Sequence, residues 1–340
     1  MSPVPPAPDN ALEVCERLSK LTGVTVLPNE PLAPHTRFAI GGPADIFFET
    51  ASPESFAEAL KTVREAGLNS VVIGGGSNLI VADEGFRGVC LKLSSRRLRA
   101  FGLRVEVECG VGLQALVNFT AQRGLKGLET LTGIPGSVGG AVYGNAGAYG
   151  HSIQERILSV HFLDGEKGDE VREFSRAECE FRYRDSIFKK KKDWIILSAT
   201  LDMETGNAVT LRETSARILS TRTRKYPPSM RCAGSIFKNL ILAELPRPVA
   251  ASLPPGVVIE GKVPSAWFLE QIGAKGMKRG DLEVADYHAN LIFNNGEGTA
   301  KDLVFLIRDL KRRVAMRFGI DLEEEVQYVG FDAEASQLQK

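Results

Sequence analysis

The chain has 340 residues, of which 43% are hydrophobic and 25% are charged, and its 42 basic side chains balance 42 acidic ones. This balance argues against DNA or another polyanion as the main partner, because such binding requires a concentrated basic surface. The length exceeds what a single hydrophobic core usually serves, so the sequence predicts two or three domains. No apolar run approaches the ~20 residues that a membrane-spanning helix needs, so no membrane segment is predicted.

Two further features indicate an intracellular protein. Residues 1–10 are rich in proline and lack the basic and apolar regions of a signal peptide. The five cysteines are odd in number and show neither a C-x-x-C pair nor a spacing typical of zinc ligands. We therefore expect reduced thiols, no metal site and no disulfide framework.

The periodicity of apolar residues predicts short strands and amphipathic helices in a mixed order. The first helix is expected to begin at Asn10 as N-cap with Glu13 three residues later, and the second to begin at Ser52-Pro53 and end at Gly67. The other predicted elements are strands at 44–50, 70–73, 89–93, 104–108, 157–163, 194–201 and 322–329, and helices at 113–122, 210–223 and 300–318. A linker is predicted at 225–228, and the whole pattern indicates an α+β protein.

Residues 133–150, GIPGSVGGAVYGNAGAYG, contain seven glycines. If the stretch is helical, Gly136, Gly140 and Gly144 form one bare stripe along which another surface can approach. Because each glycine inside a helix costs roughly 0.5–1 kcal/mol relative to alanine, this density requires a compensating gain. The gain is either close backbone packing or backbone N–H groups that face phosphate. A second glycine turn at 74–76 favours a phosphate-bearing cofactor.

Six sequence runs, in order, resemble the UDP-N-acetylenolpyruvoylglucosamine reductase (MurB) family. The resemblance spans about residues 12 to 330. The runs are TRFAIGGPA at 36–44, IGGGSNL at 73–79, GIPGSVGGA at 133–141, YRDS at 183–186, AGSIFKN at 233–239 and LEEEV at 322–326. Any one of these runs can occur by chance, but six in family order are specific.

The resemblance implies an α+β protein with an FAD-binding fold of the vanillyl-alcohol-oxidase/PCMH type and a separate C-terminal α/β substrate domain. The implied segments are a disordered tail at 1–11, FAD-binding subdomains at 12–90 and 91–224, a substrate-binding domain at 225–332 and a flexible tail at 333–340. It also implies the reaction: NADPH reduces FAD, and the flavin reduces UDP-N-acetylglucosamine enolpyruvate to UDP-N-acetylmuramate for peptidoglycan synthesis. A monomer in the bacterial cytoplasm is expected, with small-molecule partners only.

The same resemblance implies a set of FAD-binding residues in the glycine turn and in the glycine-rich segment. They are Gly74, Gly75, Gly76, Ser77, Asn78, Gly133, Ile134, Pro135, Gly136, Ser137, Gly139, Gly140 and Asn145.

Three residues match catalytic positions of the family. Hydride transfer from flavin N5 to the enolpyruvyl methylene carbon leaves negative charge on the α-carbon and its carboxylate, which needs cationic or donor groups and then a proton. Arg184 and Glu325 match the positions that stabilise this enolate, and Ser235 matches the proton donor. The family usually has proline where this chain has Glu324, so Glu323 stays open as the alternative carboxylate.

Tyr183, Lys225 and Asn239 fall at or near family positions that bind the substrate. The lysine run at 189–192 is interpreted as a solvated loop, with electrostatic steering of an anionic substrate as the alternative. No tyrosine lies between Arg184 and Lys225, so the chain resembles the subgroup that lacks a substrate-covering tyrosine loop.

Two other functions stay open from the sequence. An FAD-dependent alcohol or sugar oxidase of the same fold often binds flavin covalently, and His151 directly follows the glycine-rich segment. A non-catalytic flavin-binding module is the second alternative. The joint presence of Arg184, Ser235 and Glu325 argues against it, because a binding module needs no proton donor.

Overall fold

The computed structural model describes residues 10–165 and 170–331 of the chain. The predicted tail at 333–340 and most of the predicted tail at 1–11 lie outside the described residues, and the first helix begins at Ala11. The chain divides into two compact units. The first unit comprises residues 1–30, 44–75 and 87–228, and the second unit comprises residues 31–43, 76–86 and 229–340.

The described residues contain helices and strands in the mixed order that the sequence predicts, which confirms the α+β class. The helices are α1 (Ala11–Ser19), α2 (Pro53–Glu65), α3 (Leu113–Gln122), α4 (Val138–Tyr143), α5 (Ile187–Lys190), α6 (Ala208–Lys225), α7 (Arg247–Ala251), α8 (Ser265–Gln271) and α9 (Ala300–Phe318). The strands are β1 (Val24–Pro31), β2 (Pro43–Thr50), β3 (Ser70–Val72), β4 (Leu79–Val81), β5 (Phe86–Leu93), β6 (Leu98–Phe101), β7 (Arg104–Glu108), β8 (Leu125–Lys126), β9 (Gly147–Ala148), β10 (His151–Ser152), β11 (Ile157–Asp164), β12 (Glu170–Ser175), β13 (Trp194–Asp202), β14 (Glu204–Thr205), β15 (Leu240–Ile241), β16 (Lys262–Val263), β17 (Lys278–Arg279), β18 (Leu282–Val284), β19 (Ile292–Asn294) and β20 (Gln327–Val329).

The first unit is built on two larger sheets. One has the strand order β1-β2-β5-β3, in which β3 and β5 run parallel, and the other is an antiparallel sheet of order β12-β11-β13-β7-β6. Helices α1 and α2 bury their apolar faces in the same hydrophobic core as the sheets. The glycine turn follows β3 directly, and this connection places it at the carboxyl end of a strand.

The second unit holds the antiparallel sheet β17-β18-β19, the parallel pair β4–β20 and the long helix α9. Helix α9 buries the apolar face that its sequence predicts, and Gly319 ends it in the left-handed conformation at φ +63°. The predicted last strand at 322–329 is too long. Only 327–329 pair as a strand, with β4, whereas Glu324 forms an isolated bridge to Phe237.

The predicted helix caps hold at Ser52 and Thr299 and fail at Asn10. Ser52 accepts a hydrogen bond from the Ser55 N–H at 3.1 Å, and Thr299 accepts one from the Asp302 N–H at 3.1 Å. Asn10 precedes α1, but its side chain makes no capping bond; its Nδ2 donates to the main-chain oxygen of Ala66 at 2.7 Å. Within the described ranges, no helix is both long and apolar enough to span a bilayer.

Candidate functional site

In the first unit, the glycine turn after β3 lies directly against the glycine-rich segment. A Cβ atom placed on Gly75 would lie 3.0 Å from the Gly136 Cα, and one on Gly74 would lie 2.8 Å from the Ser137 Oγ. Gly74 and Gly75 are nevertheless exposed on their other side. The two segments therefore form one exposed surface of bare backbone.

The predicted glycine stripe is wrong, because only 138–143 are helical. Gly136 has φ +111° and lies before α4, while Gly144 is its C-cap. Inside α4 the two adjacent glycines differ. A Cβ on Gly139 would lie 2.9 Å from the Cβ of Cys109, whereas one on Gly140 would meet nothing closer than the Ser137 Oγ at 3.7 Å.

The expectation that the backbone N–H groups of this segment face phosphate fails for part of it. The N–H groups of Val138 and Gly139 donate to the main-chain oxygens of Val111 and Cys109, both at 2.8 Å. The Gly140 N–H donates to the Ser137 Oγ at 3.3 Å.

The N–H groups at the beginning of the glycine-rich segment are also bonded within the unit. That of Gly133 donates to Gln114 Oε1, and that of Ile134 donates to the main-chain oxygen of Leu131. The start of α4 is thus closed to a phosphate group.

The residues of this surface nevertheless fit a flat, phosphate-bearing cofactor such as FAD. Gly140 is exposed, and packing within the chain does not explain its lack of a side chain. Gly140 and Gly74 lie around the same side chain, because a Cβ on Gly140 would be 3.7 Å, and one on Gly74 2.8 Å, from the Ser137 Oγ. A ligand in backbone contact explains glycine at this position, since glycine otherwise destabilises a helix.

Arg184 lies in a tight turn closed by two backbone hydrogen bonds between Arg182 and Asp185, of 3.0 and 3.2 Å. Its backbone is left-handed, with φ +53°, which costs a residue with a side chain roughly 1–2 kcal/mol. Its Nη2 donates to the main-chain oxygen of Gly147 at 2.7 Å. Asn145, 2% exposed, donates from Nδ2 to the main-chain oxygen of Arg182 at 2.7 Å. The strained turn is therefore anchored to the glycine-rich segment at two points.

Asn145, which the sequence predicts as an FAD-binding residue, also has a supporting role within the unit. Its Oδ1 accepts from the Gln154 N–H at 3.4 Å while its Nδ2 holds Arg182, so its side chain bonds to the backbone of the unit. Asn145 thereby supports the Arg184 turn. Tyr183 is the other central residue of this turn, with its ring centroid 5.4 Å from the guanidinium carbon of Arg184.

Lys225 ends α6, and this end of the helix lies beside the glycine-rich segment, since a Cβ on Gly133 would be 3.0 Å from the Arg222 Cδ. Partial burial of the ammonium group, and then repulsion from Arg222, lower the pKa of Lys225, although the residue as a whole is exposed. Two cations held this close favour an anionic group beside them.

In the second unit, the glycine turn continues into a segment that supports one of the predicted catalytic residues. Gly76 has φ +61°, and a Cβ there would lie 1.8 Å from the main-chain oxygen of His35, so only glycine fits. Two residues on, the Asn78 Nδ2 donates to the main-chain oxygen of Glu325 at 2.8 Å. The Gln327 N–H donates to the Asn78 oxygen at 3.0 Å.

The three consecutive glutamates have three different environments. The Glu323 side chain is 64% exposed and pairs with Lys238. The Glu324 side chain is only 5% exposed and accepts from Lys311 Nζ at 2.8 Å and from the Tyr328 hydroxyl.

Glu325 is half-buried, and both of its main-chain polar groups are hydrogen-bonded. Its oxygen accepts from the Asn78 Nδ2, and its N–H donates to the Ile236 oxygen at 2.7 Å.

Ser235 and Asn239 lie on the segment that pairs with these glutamates. Ser235 is half-buried and forms a bridge with Leu291, and its neighbour Ile236 bonds to Glu325. Because Ile236 is hydrogen-bonded to Glu325, the preceding residue Ser235 also lies close to Glu325 within the second unit. Asn239 accepts from the Ser265 N–H at 3.4 Å.

Asn290, which the sequence does not single out, fixes this segment. It is 3% exposed, its Oδ1 accepts from the Phe237 N–H at 2.9 Å, and its Nδ2 donates to the Phe237 oxygen at 2.8 Å. Its own main-chain oxygen accepts from the Ile236 N–H at 3.1 Å. No local pattern distinguishes such a buried amide from an ordinary loop asparagine, so only the tertiary structure identifies it.

Comparison with protein families matches two parts of the chain. Residues 44–173 match the family described as FAD binding domain. Residues 226–329 match the family described as UDP-N-acetylenolpyruvoylglucosamine reductase, C-terminal domain.

Similar proteins match over nearly the whole chain. A UDP-N-acetylenolpyruvoylglucosamine reductase of Solibacter usitatus is 57% identical over 92% of this chain and 100% of its own length. The protein of the same name from Carboxydothermus hydrogenoformans is 37% identical over 93% of this chain and 97% of its own. The crystal structure of UDP-N-acetylenolpyruvylglucosamine reductase (MurB) from Thermus caldophilus is similar, with a TM-score of 0.68 and 28% identity over 90% of this chain and 98% of that one.

Proposed function

This chain belongs to the UDP-N-acetylenolpyruvoylglucosamine reductase family, with an FAD-binding fold of the vanillyl-alcohol-oxidase/PCMH type. From that premise we propose that it catalyses the NADPH-dependent, FAD-mediated reduction of UDP-N-acetylglucosamine enolpyruvate to UDP-N-acetylmuramate. The observation that carries the proposal is the 57% identity to a relative of that name over that relative's full length.

FAD, when bound, supplies the hydride from N5 and accepts electrons from NADPH. In the first unit, we propose that the exposed backbone of Gly74 and Gly75, together with 133–140, holds the cofactor. Gly140 is the residue whose missing side chain leaves room for it. In the second unit, Gly76, Ser77 and Asn78 continue this turn as further cofactor contacts.

Arg184 is proposed to stabilise the negative charge that develops on the substrate's α-carbon and carboxylate. A guanidinium is always protonated and presents a rigid fork of donors that suits a carboxylate. The anchored, left-handed turn fixes the position of the Arg184 Cα, from which the side chain with its guanidinium group extends. Hydrogen-bond donors that are already in position stabilise the transition state most, because they need not reorganise during the reaction.

Ser235 is proposed to protonate the α-carbon, and Glu325 to complete the catalytic set. A serine hydroxyl is a weak acid, so its proton must be replaced through a neighbouring group or water. Glu325 can stabilise an enolate only as a hydrogen-bond donor, in its protonated form. We favour Glu325 over Glu323 because Asn78 and Ile236 hold the backbone of Glu325, whereas Glu323 is exposed and paired with Lys238.

Tyr183, Lys225 and Asn239 are proposed to bind the substrate, with Lys225 and its neighbour Arg222 facing a phosphate group. We further propose FAD-binding subdomains at 12–90 and 91–224, a substrate-binding domain at 225–332, a monomeric state and the bacterial cytoplasm as the location. The family match at 226–329 supports the placement of the substrate-binding domain.

No described contact favours the covalent oxidase. His151 is exposed, and its Nδ1 lies 2.8 Å from Glu155, within the 3₁₀ turn that follows it. After precipitation with trichloroacetic acid, we expect the yellow flavin in the supernatant. Yellow colour that stays in the pellet would instead indicate covalent attachment.

The proposed function is tested by incubating the purified, FAD-loaded protein with NADPH and the enolpyruvyl substrate. We expect stoichiometric NADPH oxidation and a product two hydrogen masses heavier than the substrate. NADPH oxidation that is independent of the enolpyruvyl compound would sink the proposal.

A further inference from the structure

The main-chain oxygen of Arg184 is held by a lysine for which the proposed reaction has no role. Lys189 Nζ donates to this oxygen at 2.7 Å. A bond from an ammonium group is roughly twice as strong as one between neutral groups. Because Arg184 has φ +53°, its carbonyl group has a different direction from the one it would have in an extended backbone. Holding that oxygen therefore stabilises the left-handed turn itself.

Lys189 is in turn held in place by its neighbours on α5. Ser186, the N-cap residue, is fully buried and donates from Oγ to the main-chain oxygen of Tyr143 at 2.7 Å. Phe188 is also fully buried, with its ring 5.4 Å from that of Phe162 in an edge-to-face contact. The residues that lead directly to Lys189 are thus fixed to the core of the first unit.

The interpretation of 189–192 as a solvated loop is wrong for Lys189, because the four lysines have different environments. Lys190 is exposed and pairs with Glu180 at 2.7 Å. Lys192 is exposed as well, whereas Lys189 is half-buried and bonded to the Arg184 backbone. The chain therefore offers, three residues apart, one lysine tied to the turn and one of equal charge in solvent.

We propose that Lys189 is a positioning residue for Arg184. Its ammonium group bonds to the Arg184 oxygen and so fixes the left-handed backbone that carries the guanidinium side chain. Asn145 supports the same turn through its bond to the Arg182 oxygen. The proposal rests on the proposed function, in which Arg184 faces the developing enolate. Lys189 acts through the Arg184 backbone and is not itself assigned a contact with substrate or cofactor.

The test compares Lys189→Met, Lys189→Arg and the matched control Lys192→Met in the FAD-loaded enzyme, with the two half-reactions followed separately by stopped flow. We expect Lys189→Met to slow flavin reoxidation by the enolpyruvyl substrate roughly 10- to 100-fold, as a small misplacement of a catalytic group does. Flavin reduction by NADPH and KM for the substrate should change little. Lys189→Arg should restore much of the rate, and Lys192→Met should match wild type.

Three results would overturn the proposal. They are a wild-type rate for Lys189→Met, an equal loss in Lys192→Met, which would indicate general steering by charge, and an equal loss in both half-reactions. If Lys189→Met and Lys189→Arg both fail to fold or to retain flavin, Lys189 serves folding, and the positioning role is likewise refuted. An inactive wild-type enzyme would instead refute the proposed function itself.

Discussion

Glu323, Glu324 and Glu325 are identical side chains in sequence, and the structure distinguishes them by what each one touches. Glu323 is exposed, Glu324 is buried against Lys311 and Tyr328, and the backbone of Glu325 is held by Asn78. The sequence offers only three carboxylates in a row, for which a solvated strand end is the ordinary interpretation. Their separate environments arise from residues distant along the chain, which no local pattern reveals.

This difference yields a prediction about the catalytic carboxylate. Glu325→Ala should lower kcat for enolpyruvyl reduction about 10²- to 10⁴-fold, the usual range for loss of a proton-transfer group, because alanine can neither donate a hydrogen bond to the enolate nor transfer a proton. Glu323→Ala should stay near the wild-type rate, because the Glu323 side chain is mostly exposed and pairs with Lys238. Steady-state kinetics of both variants decide the matter, and the reverse order would make Glu323 the catalytic residue.

Tyr328 gives a prediction for stability and its pH dependence. Burial, and then the Glu324 carboxylate, raise the pKa of the Tyr328 hydroxyl above its ordinary value of 10.0. A raised pKa contributes stability that is present below pH 10 and is lost as the pH rises, since the unfolded chain then ionises more readily. Tyr328→Phe also removes the hydrogen bond to buried Glu324, at a cost of about 1–3 kcal/mol at neutral pH.

We therefore expect wild type to be more stable than Tyr328→Phe at pH 7, and the gap to narrow above pH 10. Urea unfolding at several pH values measures both effects. Tyr149→Phe, a change at an exposed tyrosine, is the matched control and should show no such pH-dependent gap. A gap that stays constant or widens above pH 10 would contradict the assignment.

At the scale of elements, adjacent Gly139 and Gly140 test why α4 contains glycine. Gly139→Ala should destabilise the protein by about 1–3 kcal/mol, because its Cβ would press on Cys109 in a packed interior. Gly140→Ala should leave the apoprotein as stable or more stable, by roughly 0.5–1 kcal/mol, because alanine is the better helix former. It should nevertheless weaken FAD binding.

Thermal unfolding of the apoproteins and flavin titration separate the two cases. Full FAD affinity in Gly140→Ala would show that the cofactor does not approach this residue. An undisturbed Gly139→Ala protein would show that the close contact with Cys109 is readily relieved.

The sequence predicts elements well where the local signals agree with packing. α2, α3 and β7 lie where the periodicity and caps put them. The failures involve tertiary contacts: the Asn10 amide bonds to the distant Ala66 oxygen and does not cap α1, and the last strand is reduced to 327–329 because its earlier part bonds to 236–238. The glycine segment is predicted as a site, but not which of its glycines pack and which stay open.

At the scale of the whole molecule, the six ordered motifs identify the family correctly, and the comparisons agree over nearly the whole chain. The sequence does not reveal which side chains bond to the main chain of another segment, as those of Asn290 and Lys189 do. Their function depends on main-chain oxygens and N–H groups, which every residue carries and which therefore leave no trace in a sequence pattern.

The central claim is that the chain carries out two separable half-reactions, with Ser235 needed in only one. The most direct measurement is anaerobic single-turnover stopped flow on wild type and Ser235→Ala, which follows flavin absorbance first with NADPH and then with the enolpyruvyl substrate. We predict equal flavin reduction in both proteins and a reoxidation slowed about 10²-fold or more in Ser235→Ala. Equal rates in both steps, or an equal loss in both, would contradict the account.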